Sequence, residues 1–251
     1  MTAVRAIVFD LFDTLVDLHF SRLPMAEVEG RRVPSTLLLQ HRVLLDRGHD
    51  VAFEVFTAAL RDCDRELRQS HIDRGIELPT VLRFERLAQA LALADDDLPA
   101  VLTRTHMGAI QDVSETPAHH RDVLRVLAAG YRLGLCSNFS HTETAIDIVE
   151  EAGLRPHFTS LTVSETVGIR KPRPEIFRHV LDELGTTPEE TVHVGDNLDA
   201  DVRGASELGL RTVWLDRRVR EKDRALEEYD GPAPTWIVSD LADLVGVLPR
   251  P

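Results

Sequence analysis

The feature that most restricts the fold of this chain is a rhythm of short apolar runs that alternate with amphipathic stretches. Ala3-Val4-Arg5-Ala6-Ile7-Val8-Phe9 is nearly continuous in apolar residues and stops at Asp10. A run without alternation reads as a strand covered on both faces, as in parallel sheets flanked by helices. Four further segments repeat it, at 131–136, 158–163, 191–194 and 211–215. Helical patterns at 119–129, 141–152, 174–184 and 199–208 lie between them, followed by Gly130, Gly153, Gly185 and Gly209. Glycine just past a helix is the usual left-handed terminator. Strand and helix in turn predict an α/β fold, a Rossmann-like doubly wound parallel sheet.

One long stretch breaks the rhythm. From about 16 to 116 the apolar residues fall at helical spacing, as in Phe53, Phe56, Leu60, Cys63 and Leu67, then Val81, Phe84, Leu87 and Leu91. Pro24, Pro34, Gly48, Gly75, Pro79 and Pro99 punctuate it into four or five expected helices. The expected organisation is a core of residues 1–16 and 117–251 with an all-helical insert at 17–116.

In open α/β sheets, ligands bind outside the carboxyl ends of the strands. Here those ends carry Asp10 after the first strand, Ser137-Asn138 after the second, Lys171 in the loop after the third, and Asp196 with Asp201 after the fourth. Carboxylates, a hydroxyl, an amide and a lysine on one sheet edge suit a divalent cation and an anion together. Asp13 reads as a turn residue, Asp199 as a helix-terminal charge and His193 as a core histidine. Thr14 is expected to tie its turn to the backbone through its hydroxyl.

Phe9-Asp10-Leu11-Phe12-Asp13-Thr14-Leu15, Cys136-Ser137-Asn138, Lys171-Pro172-Arg173-Pro174-Glu175-Ile176-Phe177 and Val194-Gly195-Asp196-Asn197 with Asp199 and Asp201 stand in that order. Together they resemble the haloacid dehalogenase-like hydrolase superfamily, with 17–116 where its helical type 1 cap sits. The resemblance implies Asp10 as nucleophile, forming an aspartyl-phosphate that water hydrolyses. It implies Mg²⁺ held by Asp10, the Phe12 carbonyl and Asp196, and phosphate bound by Ser137, the backbone amide of Asn138, Lys171 and Thr14. Asp201 would orient Lys171 or a metal-bound water.

Most phosphatases of this superfamily carry a second aspartate where this chain has Phe12, and that aspartate serves as acid and base. Its loss removes an effect of roughly 10²–10⁴-fold. His19 and His71 of the insert are candidate replacements, and Arg22, His41 and His106 are candidates for selecting the substrate. Two other activities compete. A metal-independent 2-haloacid dehalogenase accounts for the aromatic Phe12 but has no use for Asp196, and a regulatory module would bind phosphate and Mg²⁺ without turnover. The expected activity is Mg²⁺-dependent hydrolysis of a small phosphorylated metabolite.

The charge of −13 fits that expectation and excludes others. Binding to duplex nucleic acid or to an anionic membrane depends on Lys and Arg in excess, so neither partner is expected. Cys63 and Cys136 are far apart and form no CxxC, so neither a disulfide framework nor a zinc site is expected. With no signal-peptide pattern and no apolar run near the roughly 20 residues of a membrane span, the expected compartment is the cytoplasm.

Overall fold

A computed structural model describes residues 2–249. The chain begins with β1 (Ala6–Phe9) and passes through the short β2 (Asp17–Leu18) into an insert of β3 (Met25–Val28), β4 (Arg31–Pro34), α1 (Leu37–Asp46), α2 (Phe53–Ser70), α3 (Thr80–Ala90) and α4 (Leu98–Asp112). It returns through β5 (Ser114–Glu115) to α5 (His120–Ala128), β6 (Arg132–Ser137), α6 (Thr142–Glu151), β7 (Ser160–Val163), α7 (Ser164–Val167) and α8 (Pro174–Leu184). The last part holds β8 (Thr191–Gly195), α9 (Gly204–Glu207), β9 (Arg211–Leu215), α10 (Lys222–Glu228), β10 (Trp236–Val238) and α11 (Leu244–Val247). Two compact units result, residues 1–17 with 115–251 and residues 18–114.

The first unit is built on a six-stranded parallel sheet in the order β10-β9-β8-β1-β6-β7. β1 lies inside it, and all four of its residues are fully buried. Its side chains alternate between two apolar layers, as the pleat requires. Ile7 and Phe9 join Leu124 and Leu127 of α5 and Ile148 and Val149 of α6. Ala6 and Val8 join Ile176, Phe177 and Val180 of α8. Burial on both faces is the physical reason that this strand reads as an unbroken apolar run.

Differences from the sequence reading are local. A sixth strand, β10, follows the five expected. Gly153, Gly185 and Gly209 have positive φ as expected of helix terminators, but Gly130 is not among the positive-φ glycines. The expected helix at 199–208 is two pieces: a π-helical turn at Leu198–Arg203 and then α9.

The second unit holds the four helices, and Leu44, Phe56, Leu60, Phe84, Leu87 and Leu102 form its apolar cluster. It is not all-helical, because β3 and β4 pair antiparallel across Glu29-Gly30, both at positive φ of 51° and 73°. Two left-handed residues in a two-residue turn match the twist of a hairpin, and Glu-Gly is a weaker signal for that turn than Asn-Gly. Among the described residues no helix is long and apolar enough to cross a membrane.

Candidate active site

The carboxyl edge of the parallel sheet gathers the predicted site residues. Asp10, next after β1, is 8 % exposed and its backbone amide bonds the Val194 carbonyl of β8 at 2.9 Å. Lys171 reaches it from the loop before α8. The buried Nζ donates to Asp10 Oδ1 at 2.6 Å and to Asp201 Oδ1 at 2.7 Å. Asp10, Asp196 and Asp201 each offer an oxygen within 4.8 Å of the others.

Asp201 owes its place to the π-turn. Its amide and that of Val202 both bond the Asn197 carbonyl, at 2.9 and 3.3 Å, and the widened turn brings the carboxylate back to the end of β8. There Asp201 Oδ2 accepts the Asn197 N–H at 3.1 Å. The space exists because residue 195 is glycine, since a Cβ there would stand 2.2 Å from Asp201 Cγ. Gly204 does the same on the other side, where a Cβ would meet Pro172 Cα at 2.7 Å. Asp196 is anchored by its carbonyl, which accepts the Trp214 indole N–H at 2.8 Å.

Electrostatics follows from this geometry. Three carboxylates and one ammonium share a desolvated space. Burial and Asp201 push the Asp10 carboxyl up to about 6, against the pull of Lys171. Burial and the neighbouring Asp10 and Asp201 push Asp196 up to about 8. Burial would raise Asp201 too, but Lys171 and His193 outweigh it and hold Asp201 below the usual carboxylate range. Lys171 stays charged, because Asp10 and Asp201 more than offset the cost of its burial. The ensemble is therefore short of positive charge.

The other predicted residues divide. Ser137 Oγ is buried at the end of β6 without a hydrogen-bond partner. Thr14 Oγ1 is likewise buried and unpartnered, so the hydroxyl does not tie the turn to the backbone as expected. The Asn138 side chain has a task beyond the one expected of its backbone amide: it donates to the Lys171 carbonyl at 3.0 Å and accepts the Lys171 N–H at 2.7 Å. It staples the lysine loop to β6. The Phe12 ring packs on Phe139 with centroids 4.8 Å apart. Asp13 occupies a left-handed turn position at φ 57°, as a turn residue can, and its carboxylate also meets Arg218 at 2.7 Å. Next to Arg218, Arg217 bonds Asp17 at 3.0 Å, so two arginines after β9 hold the loop that follows Asp10.

His193 is the core histidine expected, fully buried, and it also has a partner at the site that was not expected: its Nε2 lies 2.8 Å from Asp201 Oδ1. Strand periodicity held the signal, since residues 193 and 195 of β8 share a face and Asp201 packs on Gly195. In the second unit, His41 Nε2 bonds the Val51 carbonyl at 2.7 Å and its ring packs on Phe53 and Phe56, a structural use. His71 bonds the adjacent Ser70 hydroxyl at 2.9 Å. Arg22 ends a short 3₁₀ turn that starts at Phe20, next to His19. His106 lines a cavity of about 680 Å³ within this unit, with Thr36 Oγ1 2.8 Å from its Nδ1.

A parallel sheet whose strand ends converge on a buried aspartate, a lysine and an acidic pair defines an α/β protein with a site suited to a cation and an anion together. Residues 4–209 match the family model of haloacid dehalogenase-like hydrolases. The chain belongs to that family. It is 27 % identical to a glyceraldehyde 3-phosphate phosphatase of Pyrococcus furiosus, over 100 % of this chain and 95 % of the relative. It is 31 % identical to the pyrimidine 5′-nucleotidase YjjG of Escherichia coli, over 66 % of this chain and 69 % of that one. Among solved structures it is similar in fold to a 2-haloacid dehalogenase from Pseudomonas syringae, with a TM-score of 0.70, 21 % identity and 97 % of each chain covered.

Proposed function

We propose that this protein is a Mg²⁺-dependent phosphohydrolase that acts on a small phosphorylated metabolite through an aspartyl-phosphate. The observation that carries the reading is the charge deficit at the sheet edge. Three carboxylates within 4.8 Å of one another face a single lysine, and two are pushed well above the usual carboxylate range. A dehalogenase needs no cation, so it has no use for the second carboxylate, Asp196, at the edge. Asp10 and Asp196, with the Phe12 carbonyl, would hold Mg²⁺, because Asp201 is already occupied by Lys171, His193 and the Asn197 amide. Hard cations of this kind take oxygen ligands. When bound, the ion supplies positive charge that offsets repulsion between the nucleophile and an anionic substrate.

The chain's own residues account for the rest. Lys171 donates to Asp10 Oδ1 and so fixes the orientation of the nucleophilic carboxylate. A bond from a carboxylate oxygen of Asp10 to phosphorus forms as the bond from phosphorus to the leaving oxygen breaks, and water then cleaves the acyl phosphate to restore Asp10. Lys171 Nζ and the Ser137 hydroxyl would neutralise and bond phosphoryl oxygens, a role supported by the buried Ser137 Oγ having no other hydrogen-bond partner. The Asn138 side chain holds the lysine loop, and its backbone amide would bond a phosphoryl oxygen. The leaving oxygen departs without a side-chain acid at position 12, so the reaction favours leaving groups that are stable as anions.

Phe12 favours a second reading, 2-haloacid dehalogenation by the same Asp10, because displacement of halide from carbon needs no proton donor. One experiment separates the two. Hydrolysis of p-nitrophenyl phosphate is expected with Mg²⁺, to be lost in EDTA and to fall by 10⁴-fold or more in Asp10→Asn, on the order of a nucleophile's removal. Chloride release from 2-chloropropionate that persists in EDTA would replace the phosphatase reading.

A further inference from the structure

Asp201 Oδ1 receives two donors at once, Lys171 Nζ at 2.7 Å and His193 Nε2 at 2.8 Å. His193 sits on β8 and is fully buried, with Phe177 of α8 edge-on at 5.2 Å and an interplanar angle of 88°. Its Nδ1 is buried without a hydrogen-bond partner. These facts settle the state of the ring. The proton must lie on Nε2, where a carboxylate accepts it, and a second proton on Nδ1 would be a buried donor with nothing to receive it. Burial opposes the charged ring as well, and holds His193 below the usual histidine range despite the attraction of Asp201.

We propose that His193 is a positioning residue for the catalytic lysine, donating from neutral Nε2–H to fix the Asp201 carboxylate that in turn holds Lys171 against Asp10. The logic is that of a triad displaced by one member: histidine orients the aspartate, and the aspartate orients the cation that works on the substrate. Asp201 Oδ2 is tied separately by the Asn197 amide, so the backbone and His193 between them leave the carboxylate one orientation. Without the Nε2 donor, Asp201 Oδ1 would face Lys171 alone, and the ammonium would lose its fixed direction toward Asp10.

The activity half of the test rests on the phosphatase reading, while the spectroscopic half does not. In the intact protein at pH 7, nitrogen NMR of the histidine ring is expected to show Nε2 protonated and Nδ1 bare. An imidazolium, or the opposite tautomer, overturns the proposal without any variant being made. With p-nitrophenyl phosphate, His193→Leu is expected to lower kcat by roughly 10–100-fold with little change in KM, the range typical of supporting partners. His193→Gln, whose amide N–H reaches where Nε2 does, is expected to restore most of that loss. A leucine variant that keeps wild-type kcat, or a folded glutamine variant as slow as the leucine one, overturns it. Absence of phosphatase activity in the wild type would remove the phosphatase reading and leave the NMR result to judge His193.

Discussion

The sheet edge and the interior of the insert both bury polar groups, but in different currencies of interaction. At the sheet edge the buried groups are charged: Asp10, Lys171 and Asp201 are each less than a tenth exposed and bond at 2.6–2.7 Å. Inside the insert the trio of buried Thr36 and Gln40 with the partly buried His106 is neutral. Gln40 Nε2 donates to Thr36 Oγ1 at 3.0 Å and lies 3.1 Å from His106 Nδ1, and burial pushes the His106 ring down to about 4. Charge in a low dielectric must be balanced almost ion by ion, whereas a neutral network such as that of Gln40 carries no charge to balance. The first arrangement admits few residue types, and the second admits many.

The largest test of that contrast is Lys171→Met. It leaves Asp201 and Asp10 buried without their cation, and a loss of about 3–5 kcal/mol in unfolding free energy is expected from denaturant melts. A loss below about 1 kcal/mol would mean that solvent or a proton balances the edge easily. A smaller effect is expected from pH. Between about pH 4 and 8 the folded protein holds protons on Asp10 and Asp196 that the unfolded chain has released. Without metal, stability therefore falls as pH rises through that window. Mg²⁺ should raise Tm more at pH 8 than at pH 5, with proton release on binding, and an equal rise at both would break the proposed link to these two carboxylates. The smallest effect belongs to the insert. Gln40→Leu removes an unpartnered acceptor along with two donor bonds, while Thr36 and His106 remain 2.8 Å apart, so a stability change within about 1 kcal/mol is expected. A loss as large as that of Lys171→Met would erase the distinction between the two regions.

The same contrast explains what could be read from the chain itself. Asp10, Ser137, Lys171, Asp196 and Asp201 are legible because each lies at or after the carboxyl end of a mostly apolar strand, the edge at which open α/β sheets bind ligands. β10 was not legible, since Trp236–Val238 is only three residues and lies at the sheet margin, with Ile237 half exposed. The β3–β4 hairpin hid for want of a strong turn pair. His193 looked like core because it is core, and its bond to Asp201 depends on a π-turn that helical spacing at 199–208 does not announce. The task of Asn138 was out of reach for a related reason, since its partner is the backbone of a residue 33 positions away. Backbone partners carry no sequence label.

The place of β1 in the sheet has a consequence for synthesis on the ribosome. Its neighbours are β6 and β8, and β6 begins only at Arg132. At typical elongation rates of roughly 5–20 residues per second, β1 waits about 6–25 s for its first partner. During that interval the insert, which has its own apolar cluster, emerges complete, while four apolar residues destined for full burial have no strand beside them. The brevity of β1 limits that exposure, because a four-residue segment is shorter than the six or seven that nucleate intermolecular strand stacking.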